Sequence, residues 1–311
     1  MLDVHLLNLQ SSAFYLNYLT KEVVMQVRKA TFAGTWYPSR ATECEKEIND
    51  FLKETRFQAL PKGEFIGGIV PHAGWYFSGS LACNVISSLR NPDDKPAPDI
   101  IVVFGMHMHP NSTPCIMTDG AWETPFGDLE IEKDVSRKLA EKFSFTTETP
   151  THFTPDNTIE LQLPFIKYFF HDSRLIPIGV PPSKTTIDIA QSLIDIANQS
   201  GLGVKVVGTT DLTHYGPNYG FAPAGMGNDA VDWAKNQNDK KAIDLMLTLD
   251  PEGIITEGLA SQNACCSGAA AAAIAASKAL GAKQSHYVGY SSSYDKSPGD
   301  SFVGYAGITY K

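Results

Sequence analysis

The segment VKVVGTTDLTHYG, residues 204–216, begins as a β-branched apolar run and ends in a polar cluster of Asp211, Thr213 and His214. A run this short and this apolar reads as a strand covered on both faces. Its polar end then falls where open α/β sheets collect ligands, outside the carboxyl ends of their strands. Three more runs follow the same grammar: GEFIGGIV (63–70) leads into Pro71-His72-Ala73-Gly74, PDIIVVFG (98–105) leads into Met106-His107-Met108-His109, and SRLIPIGV (173–180) ends at a Pro-Pro turn. Pro177 inside the last run demotes that strand or marks a bulge, because proline cannot donate to a ladder.

Between these runs lie helical patterns at 41–54, 79–90, 133–143 and 185–199, each with apolar residues on one face. Strands alternating with helices of this length give the expected fold class: α/β, a three-layer α/β/α sandwich around a mostly parallel mixed sheet. Residues 228–249 read as one long helix, and CCSGAAAAAIAASKAL (265–280) as a helix so rich in alanine that its neighbours must approach closely. SHYVGYSSS (285–293) and SFVGYAGITY (301–310) alternate like antiparallel strands. No linker or composition break divides residues 25–311, which read as a single domain. Residues 1–24 have no basic leader and no small-residue cleavage site; they read as an extension, with Met25 a second potential start.

Composition narrows the function classes. With 311 residues, 43% of them hydrophobic, the chain can bury a large core, and its net charge of -9 argues against nucleic-acid binding, which needs basic groups to displace counterions. No apolar run reaches the roughly 18 residues of a membrane span. Five cysteines, sparse and odd in number, fit a reducing cytoplasm better than a disulfide framework.

Four of the eight histidines (His72, His107, His109 and His214) directly follow strand runs. Imidazole binds iron, copper and zinc and titrates near neutral pH, so histidines gathered from separate strand ends point to a shared metal or acid–base site. Asp211, three residues before His214, is placed to orient or ligate beside it. Cys265 and Cys266 open the alanine-rich helix, where positive potential favours a thiolate; neighbours in sequence do not readily share one metal, so one of them reads as packing. Asp156 reads as a helix cap, with Asn157 and Glu160 beside it toward the site. Trp36, Tyr37, Trp75, Tyr76 and Phe77 offer aromatic walls.

These motifs together resemble the Memo family, also called AmmeMemoRadiSam system protein B. The resemblance runs from about Arg28 to Tyr310 and rests on RKATFAGTWYPS (28–39), IVPHAGWYFSGS (69–80), VVFGMHMHP (102–110), WETPFGDLEI (122–131), NTIELQLPF (157–165), VVGTTDLTHYG (206–216), the cysteine before GAAAAA (268–273), and VGYAG (303–307). It implies a fold like that of the LigB-type class III extradiol dioxygenases, with a cysteine in place of their metal-binding carboxylate. Carried over by motif, it implies His72, His107 and Cys265 as metal ligands, with His109 the alternative to His107, and His214 and Asp211 in acid–base chemistry. Cys266 then takes the place of a glycine, and Asn157 that of a histidine; asparagine hydrogen-bonds but does not shuttle protons.

The resemblance implies an iron or copper cofactor, with zinc as the alternative, and an oxidoreductase-like reaction on an unidentified small substrate. A zinc-dependent hydrolase, or a non-catalytic binding or adaptor protein using the same cleft, are the competing expectations; the animal relatives resemble phosphotyrosine-peptide readers. The bacterial group's name further implies an association with radical-SAM and AMMECR1-like proteins.

Overall fold

The computed structural model describes residues 25–91 and 95–311; the extension expected at 1–24 lies outside the described residues. In chain order its strands are β1 (Val27–Arg28), β2 (Gly67–Val70), β3 (Ile100–Gly105), β4 (Cys115–Met117), β5 (Ala121–Trp122), β6 (Leu129–Glu130), β7 (Thr146–Glu148), β8 (Arg174–Gly179), β9 (Val204–Thr209), β10 (His214–Tyr215), β11 (Ser285–Ser292) and β12 (Phe302–Tyr310). The α-helices are α1 (Ala41–Phe51), α2 (Ser80–Ser88), α3 (Lys133–Lys142), α4 (Asn157–Glu160), α5 (Leu163–Phe169), α6 (Lys184–Gln199), α7 (Asn228–Trp233), α8 (Asp239–Leu247), α9 (Pro251–Ser261) and α10 (Ser267–Ala279).

Nine strands form one mixed sheet in the spatial order β10-β12-β2-β9-β3-β8-β4-β7, with β11 paired to β12. Its centre, β2-β9-β3-β8, is parallel, whereas β12 and β4 run antiparallel to β2 and β8. Alternation along β3 shows why there are three layers. Ile100, Val102 and Phe104 enter the core beneath α3, α6, α9 and α10, while Ile101 and Val103 enter the opposite core beneath α1, α2 and α5. A strand with apolar residues on both faces needs both covered. The expected α/β/α sandwich around a mixed sheet is the architecture found.

Two local expectations change. Pro177 neither leaves β8 on an edge nor breaks it: β8 lies between β3 and β4, with Pro177 in register with Val103. On its other side the β4 ladder pairs only Gly179 and Ile178, and Ile131 bridges to Leu175, so the missing N–H falls in a gap between partners. The helix expected at 228–249 is α7 and α8 joined through a wider π-helical turn at Ala234–Asn238.

The alanine-rich α10 packs onto the sheet at backbone distance. Every residue from Ser267 to Ser277 is buried. A Cβ placed on Gly208 of β9 would stand 2.5 Å from the Ala269 carbonyl and 2.6 Å from the Ala273 Cβ, and one on Gly268 would stand 2.5 Å from the Pro181 carbonyl. Glycine on the strand and alanine on the helix therefore fit each other, and together they fix the N-terminus of α10 beside the end of β9.

A smaller sheet of β1, β5 and β6 is tied to the body by Arg28. Its buried guanidinium lies 3.5 Å from the centre of the Trp122 ring and 3.9 Å from that of Phe153, with Nη1 donating to Glu148 at 2.7 Å. Stacking plus a charge-assisted bond compensates a cation that has been taken out of water.

Asp239, at the start of α8, is buried beneath the loop after β9. It accepts from the Thr213 N–H at 2.8 Å, from the Thr213 hydroxyl and from Tyr290 Oη at 2.8 Å. Burial outweighs these bonds and pushes its carboxyl up to about 6. A folded value above the ordinary 3.8 means that its contribution to stability is full below about pH 4 and lost as pH rises through about 6, a loss of about 3 kcal/mol. Urea unfolding across that window should show this decline in the wild type and a flatter profile in Asp239→Asn.

Candidate metal centre

The ends of β2 and β3 and the residues just before α10 deliver four donor groups to one place. His72, His107, Cys265 and Cys266 offer ligand atoms that all lie within 4.8 Å of one another. His72 Nε2 is 3.2 Å from Cys265 Sγ, and the two imidazoles meet nearly edge to face, their centroids 5.0 Å apart. Cys266 Sγ lies 3.9 Å from Cys265 Sγ and donates to the Met106 carbonyl at 3.5 Å.

Each member is held from behind. Asp211 Oδ1 accepts the His72 N–H at 2.7 Å, and Asn157 Nδ2 donates to the His72 carbonyl at 2.8 Å, so the backbone of the PHAG turn is fixed on both sides. The Cys265 N–H donates to the Asp211 carbonyl at 3.1 Å while the Asp211 N–H points at Cys265 Sγ at 3.3 Å, a reciprocal lock between the loop after β9 and the entry to α10. Met106 adopts a left-handed conformation, φ 74°, and its N–H donates to Thr158 Oγ1 at 2.6 Å. His107 follows it and is met by Asp156, whose Oδ2 lies 3.1 Å from His107 Nδ1.

The electrostatics suit a metal-binding thiolate. Burial alone would raise the Cys265 thiol, but the Cys266 hydrogen bond, the His72 charge and the contacts with both imidazoles outweigh it and hold Cys265 well below its ordinary value. Burial and the neighbouring Cys265 push Cys266 well up. For His107, burial lowers the value, yet the Asp156 carboxylate and the Cys265 sulfur prevail and push it up to about 10. Burial raises Asp211, opposed by His72. Soft sulfur beside imidazole, with one thiol favoured as thiolate, is a donor set that fits iron, copper or zinc.

A cleft of about 500 Å³ opens over the group. His72, His107, Asn157, Asp211 and His214 face it, with Trp36, Tyr76, Phe77, Tyr219 and Tyr305 as aromatic walls. His214 Nδ1 lies 3.2 Å from the Leu212 carbonyl, and its ring meets Tyr219 edge-on.

The structure sorts the residues singled out in the sequence. His72, His107 and Cys265 come together, and His214, Asp211, Asn157 and Trp36 border the same cleft. His109 stays on the surface, where its Nδ1 accepts from the Asn111 N–H. Asp211 turns its carboxylate to His72, with Oδ2 at 4.0 Å from Nε2, rather than serving as a hydrogen-bonded orienter of His214. Trp75, Tyr37 and Glu160 belong to the core behind the cleft and not to its walls. Trp75 stacks on Phe165 at 4.0 Å and donates to the Leu161 carbonyl, while Glu160 accepts from the Phe32 N–H and Tyr37 Oη. Sequence reasoning gave Asp156 only a helix-capping role, which it fills by accepting from the Thr158 N–H, and missed its grip on His107. It also missed Tyr219, which carries no motif, and Tyr305, which sits in the VGYAG segment but was given no role there; Cys266, read as packing, also lies within the donor group.

Among the described residues, no helix is long and apolar enough to cross a membrane. A family profile described as Memo-like protein matches residues 28–309. A MEMO1 family protein of Methanopyrus kandleri is 31% identical over 298 residues, covering 91% of this chain and 99% of its own length. Another from Methanosarcina barkeri is 30% identical over 289 residues, covering 91% and 99%. The crystal structure of an uncharacterized protein from Escherichia coli K12 superposes with a TM-score of 0.46 and 10% identity, covering 78% of this chain and 99% of that one.

Proposed function

The chain belongs to the Memo family, and on that premise we propose that it is a metal-dependent oxidoreductase acting on a small, partly aromatic substrate. The supporting observation is the convergence of His72, His107 and Cys265 at the base of an open aromatic cleft. These three residues would hold iron or copper, which supplies electron transfer when bound; the same donors suit zinc as the alternative.

The rest of the chemistry belongs to side chains. Asp156 accepts from His107 Nδ1 and so aims Nε2 at the group, the carboxylate–histidine arrangement that orients ligands in metal sites. Asp156→Asn should weaken metal affinity by about 10-fold or more, as read by competition with a chelator. Asn157 anchors His72 through its backbone and moves no proton. His214, with Nδ1 directed to the Leu212 carbonyl, presents Nε2 to the cleft as the proton-transfer group. Trp36, Tyr76 and Tyr219 offer flat faces on which an aromatic substrate stacks. The five free cysteines suit a reducing cytoplasm.

The test is elemental analysis of protein purified with and without air, joined to oxygen uptake over a panel of small aromatic reductants. The expected result is iron or copper near one per chain, with uptake that falls about 100-fold or more in His214→Gln at unchanged metal content. Stoichiometric zinc without any redox response would overturn this reading in favour of hydrolysis.

A further inference from the structure

The metal reading leaves the second thiol of the Cys265-Cys266 pair without a task. Its Sγ is 3.9 Å from that of Cys265, and both residues are locked onto the loop that follows β9: the Cys265 N–H bonds the Asp211 carbonyl and the Cys266 N–H bonds Thr210 Oγ1 at 3.1 Å. Cys265 is partly exposed beneath the cleft-lining imidazoles, whereas Cys266 is buried behind it. A small oxidant entering the cleft therefore meets Cys265 first and finds a second sulfur directly behind.

We propose that Cys265 and Cys266 form a reversible thiol–disulfide pair, oxidised by a small hydroperoxide, that withdraws the Cys265 sulfur from metal binding. The withdrawal rests on the metal reading above; the disulfide itself does not.

The steps balance. Cys265 sulfur attacks the proximal oxygen of hydrogen peroxide, forming an S–O bond and breaking O–O; the departing hydroxide leaves as water with the Cys265 proton. Cys266 sulfur then attacks Cys265 sulfur, forming S–S and breaking S–O, and the second hydroxide leaves as water with the Cys266 proton. Two thiols lose two electrons, and one peroxide becomes two waters. The product is suited to reversal. Adjacent Cα atoms sit about 3.8 Å apart across a trans peptide, below the usual span of disulfide-linked residues, so the ring is strained and readily reduced. The remaining thiols are placed elsewhere: Cys44 and Cys83 lie in the opposite core layer, and Cys115 donates to Met106 Sδ at 2.9 Å.

The experiment treats the full, chelator-stripped chain with about one equivalent of hydrogen peroxide. Trypsin releases residues 242–278, which contain Cys265 and Cys266 and no other cysteine. The expected result is a loss of about 2 Da in that peptide, a fall in alkylatable thiols from five to three, and full recovery with dithiothreitol. Zinc, a redox-inert probe, should bind the oxidised chain more than about 100-fold more weakly than the reduced one, because a thiolate ligand is gone. Cys266→Ser should instead leave a sulfenic acid on Cys265 that dimedone captures. Conversion of wild-type Cys265 to sulfinic acid without the 2 Da loss, or its cross-link to the Cys115 peptide, overturns the pair. A vicinal disulfide that leaves zinc affinity unchanged overturns the withdrawal. A reversible disulfide in a chain that binds zinc in neither state upholds the pair and fails the metal reading instead.

Discussion

Replacing Cys265 with alanine is expected to lower metal affinity by more than about 100-fold while leaving the fold intact. The sulfur lies 3.2 Å from His72 Nε2 and is the donor best prepared as an anion, so its loss leaves two imidazoles and the protonated Cys266 thiol. Metal sites need deprotonated ligands, and outer partners alone are worth about 10- to 100-fold. The substituted side chain is small, and although the Asp211 N–H loses its sulfur partner, the Cys265 N–H bond to the Asp211 carbonyl survives, so thermal unfolding of the metal-free variant should stay near that of the wild type. His72→Ala should act in the same direction. His109→Ala is the contrasting case: its ring is exposed and outside the donor group, so affinity should change by less than about twofold. Titration calorimetry on the three variants checks all of this at once. An effect of His109→Ala as large as that of His72→Ala would move the second imidazole ligand from His107 to His109.

Gly208→Ala is the substitution expected to cost most in stability, about 3 kcal/mol or more. One methyl group suffices because it would stand 2.5 Å from a backbone carbonyl and 2.6 Å from a second Cβ, and neither belongs to a flexible side chain. Relief requires α10 to lift from β9, opening the close contact along a helix buried from Ser267 to Ser277. Ala273→Gly in the same chain removes one of the two clashes and should recover part of the loss, a coupling that a double-mutant cycle in urea would read directly. Since α10 starts directly after the cysteine pair, the single variant should also lose metal affinity although it touches no donor.

The fold was legible because its strands announce themselves. VKVVGTT and PDIIVVFG are β-branched, short and apolar on both faces, and only a covered central position satisfies them. The histidine positions were legible for the same reason: strand ends in such a sheet lie along one edge. What sequence adjacency could not convey is direction. Trp75 and Tyr76 are consecutive, yet the first turns inward to stack on Phe165 and the second is 64% exposed over the cleft. Asp156 shows a second limit, since a helix cap and a histidine orienter present the same letter, and here one carboxylate does both. Tyr219 shows a third: a wall supplied by a distant segment has no local pattern. Pro177 was misjudged because the gap that accommodates it is a property of the neighbouring strands.

The tight seam between β9 and α10 has a consequence for descent as well as for stability. It holds the base of the site, with its sulfur and imidazole groups, against almost any enlargement of a side chain. The aromatic walls are under no such constraint: Trp36, Tyr76 and Tyr219 are all exposed and come from separate segments of the chain. Heritable change can therefore accumulate around the mouth, altering which molecules enter, while the reactive groups beneath are passed on unchanged.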